Sequence, residues 1–127
     1  MTLTRDDIVM AKVINKINKK KKQAGVKDDN GKARFDLIPP PALIALAELY
    51  STGSVKYGDR NWELGMAYGR VFGAMMRHSW AWWRGEIYDK EDGQHHLISV
   101  AWCAFALFTF ESTGVGQDDR SEINHCD

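Results

Sequence analysis

The chain has 127 residues, of which 44% are hydrophobic and 11% aromatic, a composition that builds a core and excludes a disordered chain. That length suits one domain, burying roughly two thirds of its unfolded surface. Seventeen basic residues offset seventeen acidic ones, so no net field recruits nucleic acid or an anionic membrane, and any polyanion must be held by a local site.

Thr4, followed by Asp6 and Asp7, reads as a helix start, an N-cap with acids in the first turn. Ile8, Val9, Val13, Ile14 and Ile17 give it a narrow apolar stripe, and Lys19 to Lys22 close it. That lysine run is either a solvated helix end favoured by the dipole or a nucleic-acid patch. The charges follow the apolar positions, the reverse of a secretory signal. "KDDNGKARFD" is a turn-rich linker, tightest at Asn30-Gly31.

"PPPALIALAELY" opens a second helix, with Pro41 in the first turn, where its missing N–H is no loss; Gly53 or Gly58 ends it. "GDRNWELG" leads to what reads as the longest helix, about Met66 to Arg84, ended by Gly85. "EIYDKED" is a charged connection, and the last helix, about Gln94 to Glu111, is apolar almost all round. Residues 97–110 form an apolar stretch of 14, short of the roughly 20 that a membrane span needs. "STGVGQDDRSEINHCD" lacks periodicity and reads as a flexible polar tail. Cys103 and Cys126 read as a buried thiol and a loose tail thiol. No segment alternates with a period of two, so the fold class is all-α, a bundle of three to four helices. A helix apolar on every face needs cover on every face, which predicts a homo-oligomer, a dimer or tetramer. The expected divisions are an N-terminal helix and linker over 1–31, a catalytic domain over 32–111 and the tail over 112–127.

The candidate chemistry lies between Met75 and His96. At about 100° per residue, Val71, Met75, His78 and Trp82 fall on one stripe facing the core. Arg70, Arg77 and Arg84 fall on a stripe beside it, either a solvent boundary or a row of guanidinium forks for phosphate oxygens. His78 is either a satisfied core histidine or a ligand. Glu48 is the one polar side chain from Ala42 to Tyr50; it is the wet position of its helix or is held inward by a cation, and the inward placement is the expectation. Glu86, Asp89, Glu91, Asp92, His95 and His96 follow. Glu86-x-x-Asp89 has the spacing of two carboxylates on one helical face, although Gly85 argues against a continuous helix there. Such oxygens suit magnesium, while Asp92 can equally cap the last helix. One of His95 and His96 should face the bundle. Zinc fits poorly, since neither cysteines nor a spaced histidine pair complete a set of four. Lys32, Arg34 and Lys56 lie in or beside glycine-bearing loops suited to clamping phosphates, with Asn61 and Trp62 placed to bond and stack a base.

Four ordered blocks, "GKARFDLIPPPAL", "SVKYGDRNWELGM", "RHSWAWWRGE" and "DKEDGQHHL", resemble the phage and prophage family described as the N-terminal domain of dATP/dGTP diphosphohydrolases, a distant relative of the MazG-like all-α nucleotide pyrophosphatases. The resemblance spans about Lys32 to Glu111. It implies cleavage of a nucleoside triphosphate between the α and β phosphates, purine deoxynucleotides favoured, with Mg2+ or Mn2+ as cofactor and in the cytoplasm, the host's if phage-encoded. The family's pattern falls on Lys32, Arg34, Asp36, Lys56, Tyr57, Asn61, Trp62, Arg77, His78, Trp82, Glu86, Asp89, Glu91 and His96. The MazG-like E-E-x-x-E helix has a single counterpart here, Glu48, and Ser99 stands where a further histidine is expected. The resulting expectation puts metal on Glu48, Glu86 and Asp89. Glu91, His96 and His78 take catalytic roles, and Lys32, Arg34, Lys56, Asn61, Trp62 and Arg77 bind substrate. The competing reading is a non-catalytic oligomeric module that binds nucleotide or nucleic acid, recognisable by steep salt dependence.

Overall fold

Thr4 starts the first helix through a reciprocal cap. Its hydroxyl oxygen accepts from the Asp7 amide at 3.2 Å, and the Asp7 carboxylate accepts from the Thr4 amide at 3.0 Å, which satisfies two donors that a helix start leaves bare. The Thr4 hydroxyl and amide together hold the Asp7 carboxyl below its usual range. The computed structural model describes residues 2–22 and 24–124. Cys126 lies outside them, as do the side chains of the Lys19–Lys22 run. The chain divides into two units, Met1–Arg34 and Phe35–Asp127. The first holds helix α1 (Arg5–Lys22) and a turn closed by the Lys32 amide on the Asp29 carbonyl at 3.1 Å.

The second unit holds α2 (Pro40–Tyr57), α3 (Tyr68–Trp83) and α4 (His96–Thr113), with 3₁₀ turns at Phe35–Leu37, Asn61–Leu64 and Glu122–Asn124. No strand occurs among the described residues, and the fold is an all-α bundle in which α4 packs on both α3 and α2. At 16 residues α3 is shorter than α2 and α4, which have 18 each, so it is not the longest helix. Gly58 ends α2, while Gly53 lies within it. Tandem prolines at Pro40 and Pro41 open α2, where no amide partner is needed.

The core runs along α4. His96, Ser99, Cys103, Ala106 and Phe110 are buried, an alternating three–four spacing that keeps one seam toward α3 and α2. Val71 joins Cys103, Ala106 and Phe110 in the central cluster, with Trp62, Tyr68, Met75, Trp102 and Val115 packed around it. By length and composition α4 is apolar enough to cross a membrane, longer than the 14-residue stretch read from sequence, but core helices share that composition. Trp82, expected on the core stripe, is exposed.

The described part of the stretch expected to be a flexible tail is tied down. α3 has Ala67 at its N-cap, which offers no side-chain acceptor. The missing acceptors come from beyond α4: the Gln117 carbonyl takes the Tyr68 amide at 2.8 Å, and the Asp119 carboxylate takes the Gly69 amide at 2.7 Å. A carboxylate there also complements the positive end of the helix dipole. The return path is glycine-dependent. A Cβ on Gly116, which has φ +85°, would sit 2.6 Å from the Met66 carbonyl oxygen.

Candidate functional site

A glycine turn and a single pair of bridged residues build the site at the junction of α3 and α4. Gly85 adopts φ +104°; its amide donates to the Trp82 carbonyl at 2.9 Å and the Glu86 amide to the Ala81 carbonyl at 3.0 Å. This is the paired closure of a left-handed helix end. Glu86 and Asp89 therefore lie beyond the helix and do not share a helical face. The connection folds back on itself through a bridge between Tyr88 and His95. The Asp89 amide donates to the Gln94 carbonyl at 2.8 Å and the His96 amide to the Ile87 carbonyl at 3.0 Å. One Asp89 oxygen accepts from the Glu91 amide at 2.8 Å, which leaves the other aimed at α3. Asp92 braces the loop by accepting from the Gln94 amide at 2.9 Å. The cap of α4 is His95, whose Nδ1 accepts from the Leu97 amide at 3.1 Å.

With His95 occupied as a cap, His96 is the inward member of the pair, 4% exposed. Its Nδ1 lies 2.8 Å from Nδ1 of His78 on α3. Asp89 Oδ2 is 3.7 Å from His78 Nδ1, and Glu86 Oε1 is 3.3 Å from His96 Nε2. That Nε2 is buried and makes no aligned hydrogen bond among the described residues. Two facing Nδ1 atoms cannot both carry a proton, so one ring presents a bare lone pair to the other. Burial, reinforced by the charge of His96, pushes His78 below the ordinary histidine range, so it is neutral at pH 7. One ligand atom from each of His78, Asp89 and His96 lies within 4.8 Å of the others. The arrangement can hold a divalent cation or share a proton between rings.

Of the expected site residues, His78, His96, Glu86 and Asp89 converge. Glu48 does not. It is exposed, about 115° around α2 from the Ala45–Leu46–Leu49–Gly53 side that turns inward. Its apolar neighbours misled the sequence reading, because α2 buries a narrow stripe and leaves Leu43 and Ile44 in solvent as well. Trp62 is a half-buried packing anchor: its ring packs 6.0 Å from Tyr50, 6.3 Å from Trp102 and 6.1 Å from Phe110. Asn61 is exposed at the start of the 3₁₀ turn beside it. Lys56 is exposed at the end of α2, its ammonium over the Tyr57 ring. It is pushed up first by that neighbour and then by the charges of Asp92 and Glu91. Arg77 is exposed on α3 within electrostatic reach of His78, and Glu91 is exposed in the loop. Lys32 and Arg34 are exposed and lie in the first unit. The histidine pair spans 18 positions and two helices and so leaves no local spacing in the sequence.

A three-helix packing with a histidine–carboxylate cluster at one helix junction defines the class: an all-α domain with a cluster that could hold a cation. The chain belongs to the family described as dATP/dGTP diphosphohydrolase, N-terminal, which it matches over residues 22–120. That match extends beyond 32–111 and takes in the segment that caps α3. A dATP/dGTP diphosphohydrolase of Salmonella phage PMBT28 is 32% identical over 96 residues, 76% of this chain and 33% of the relative. The chain thus spans about a third of that relative's length. No solved structure matches it.

Proposed function

We propose that the chain is a metal-dependent (d)NTP diphosphohydrolase that releases a nucleoside monophosphate and pyrophosphate, with purine deoxynucleotides preferred. The observation that supports it most is the convergence of His78, His96, Asp89 and Glu86 in a member of this family. Cleavage between the α and β phosphates follows the resemblance to MazG-like pyrophosphatases. The resemblance implies Mg2+ or Mn2+ as the cation; held by His78, Asp89 and His96, a divalent cation would neutralise phosphate oxygens.

The chain's own groups supply the rest. Lys56, within electrostatic reach of Asp92 and Glu91, and Arg77, within reach of His78, bind the triphosphate as cations. His96, buried with Nδ1 toward His78 and Nε2 toward Glu86, holds its neighbours in place. Glu91, exposed two residues beyond Asp89, takes the proton of the attacking water. Asn61 contacts the base from the loop after α2.

Purified protein is incubated with the common dNTPs and NTPs, with Mg2+, with Mn2+ and with chelator, and the products are separated by ion exchange. Monophosphate with pyrophosphate, lost on chelation and lost in Glu86→Gln with helical content unchanged, is the expected outcome. No turnover with any nucleotide would reassign the domain as a binding module, and full activity in Glu86→Gln would remove that carboxylate from the site.

A further inference from the structure

We infer that His78, His96 and Asp89 form a two-histidine, one-carboxylate site that selects a first-row transition dication over magnesium, with Glu86 as the carboxylate that orients His96. The identity of the donors carries the argument. The oxygen set of Glu48, Glu86 and Asp89 expected for magnesium is not assembled, since Glu48 faces solvent on α2. What is assembled is two imidazole Nδ1 atoms at 2.8 Å with a carboxylate oxygen 3.7 Å from one of them. Magnesium takes oxygen ligands and sheds water reluctantly. Imidazole suits iron, nickel, copper and zinc, and affinity at a nitrogen-bearing site rises along the first-row dications from manganese to copper.

Adjacent ligands on one ion, at bond lengths of about 2.0–2.2 Å, stand roughly 3 Å apart, so the observed Nδ1 separation needs little change to admit a cation. Glu86 supplies the second requirement. A histidine that ligates through one nitrogen gives its other N–H to a carboxylate, which sets its tautomer. Glu86 Oε1 stands 3.3 Å from His96 Nε2, a buried atom with no aligned partner. A proton placed there leaves the lone pair of Nδ1 facing His78. The site's use as the catalytic cofactor site rests on the diphosphohydrolase reading; the binding itself does not.

Tag-free, chelator-stripped full chain is titrated with Mn2+ in millimolar Mg2+ and examined by pulsed electron paramagnetic resonance, with Zn2+ binding followed by calorimetry. Expected are one Mn2+ per chain with nitrogen couplings from two imidazoles and one Zn2+ per chain. Mn2+ should bind at least tenfold tighter than Mg2+. His78→Gln should remove one coupling, and Asp89→Asn, a half-buried loop position less demanding of the fold, should weaken Mn2+ at least tenfold. Glu86→Gln should lower affinity about 10–100-fold while keeping both couplings. Absent nitrogen couplings, displacement of Mn2+ by equimolar Mg2+, or unchanged binding in Asp89→Asn would overturn the inference. A site with both couplings in a protein that hydrolyses no nucleotide leaves the inference standing and removes the catalytic reading. Turnover in Mg2+ with no nitrogen-coupled Mn2+ does the reverse.

Discussion

Phe110 is fully buried, with its ring 6.1 Å from Trp62 and 6.4 Å from Tyr68. Removing it opens a cavity that three structural elements line, at a cost of about 3–5 kcal/mol, against a total stability of about 5–15 kcal/mol for a domain of this kind. Phe110→Ala should therefore lower the urea midpoint by about a fifth of its wild-type value or more, and a smaller shift would show that the cluster relaxes around the gap. Cys103, one heptad earlier on the same seam, tests burial by chemistry. Desolvation pushes its thiol up, so the folded state holds the proton longer than the unfolded chain does. Its contribution to stability is complete below the unfolded pKa near 9 and is lost as pH rises past the folded value. At pH 8 iodoacetamide should leave Cys103 unmodified until urea is added, as read by peptide mass mapping. At this scale the sequence was legible where local chemistry decides. The inward turn of one histidine in the His95–His96 pair follows from adjacent positions on a helix start, whereas Glu48 was misplaced because apolar neighbours do not prove that a face is covered.

Helix ends divide into those closed by neighbours and those closed from far along the chain. Thr4 with Asp7, Pro40 with Pro41, and Gly85 are local, and each was readable from a few residues. The start of α3 was not, since its acceptors lie about 50 positions later, at Gln117 and Asp119. No pattern within α3 announces a cap from so distant a segment, and a polar stretch without periodicity looks like a tail whether or not it docks. Asp119→Ala removes the carboxylate and leaves the Gly69 amide bare. By the measured worth of helix caps it should cost about 0.5–2 kcal/mol, with Asp119→Asn retaining most of that. Gly116→Ala acts at the same clasp by sterics, because backbone and not a flexible side chain stands 2.6 Å from the new Cβ. Amide exchange at Tyr68 and Gln117 should accelerate in both variants. Exchange that stays slow in Asp119→Ala would mean the Gln117 carbonyl alone holds the segment. The histidine–carboxylate cluster has the same origin as this cap: Asp89 and Glu86 reach it through a helix end and a bridged turn, so i,i+3 spacing was the right signal for the wrong geometry.

In the second unit as a whole, α3 and α4 pack closely and still leave much aromatic surface in water. Phe72, Trp80, Trp83, Phe105 and Phe108 are between 53% and 73% exposed. Phe105 and Phe108 stand on the side of α4 away from its buried seam, at about 100° per residue. Exposed aromatic surface of this kind favours association, and it is what a helix apolar on every face predicts when a small bundle covers one side of it. The expected assembly is a second copy of the chain seated on this face. Sedimentation velocity at micromolar concentration should then show a dimer or larger species, and Phe105→Glu with Phe108→Glu should return it to monomer with helical content intact. Both substitutions lie on solvent-facing positions, so the core seam from His96 to Phe110 is untouched and loss of fold does not confound the result. A wild-type chain that stays monomeric across that range would mean the exposed aromatics meet a different partner. The phage relative is matched over 33% of its length, and the sequence beyond that match is the first place to look for it.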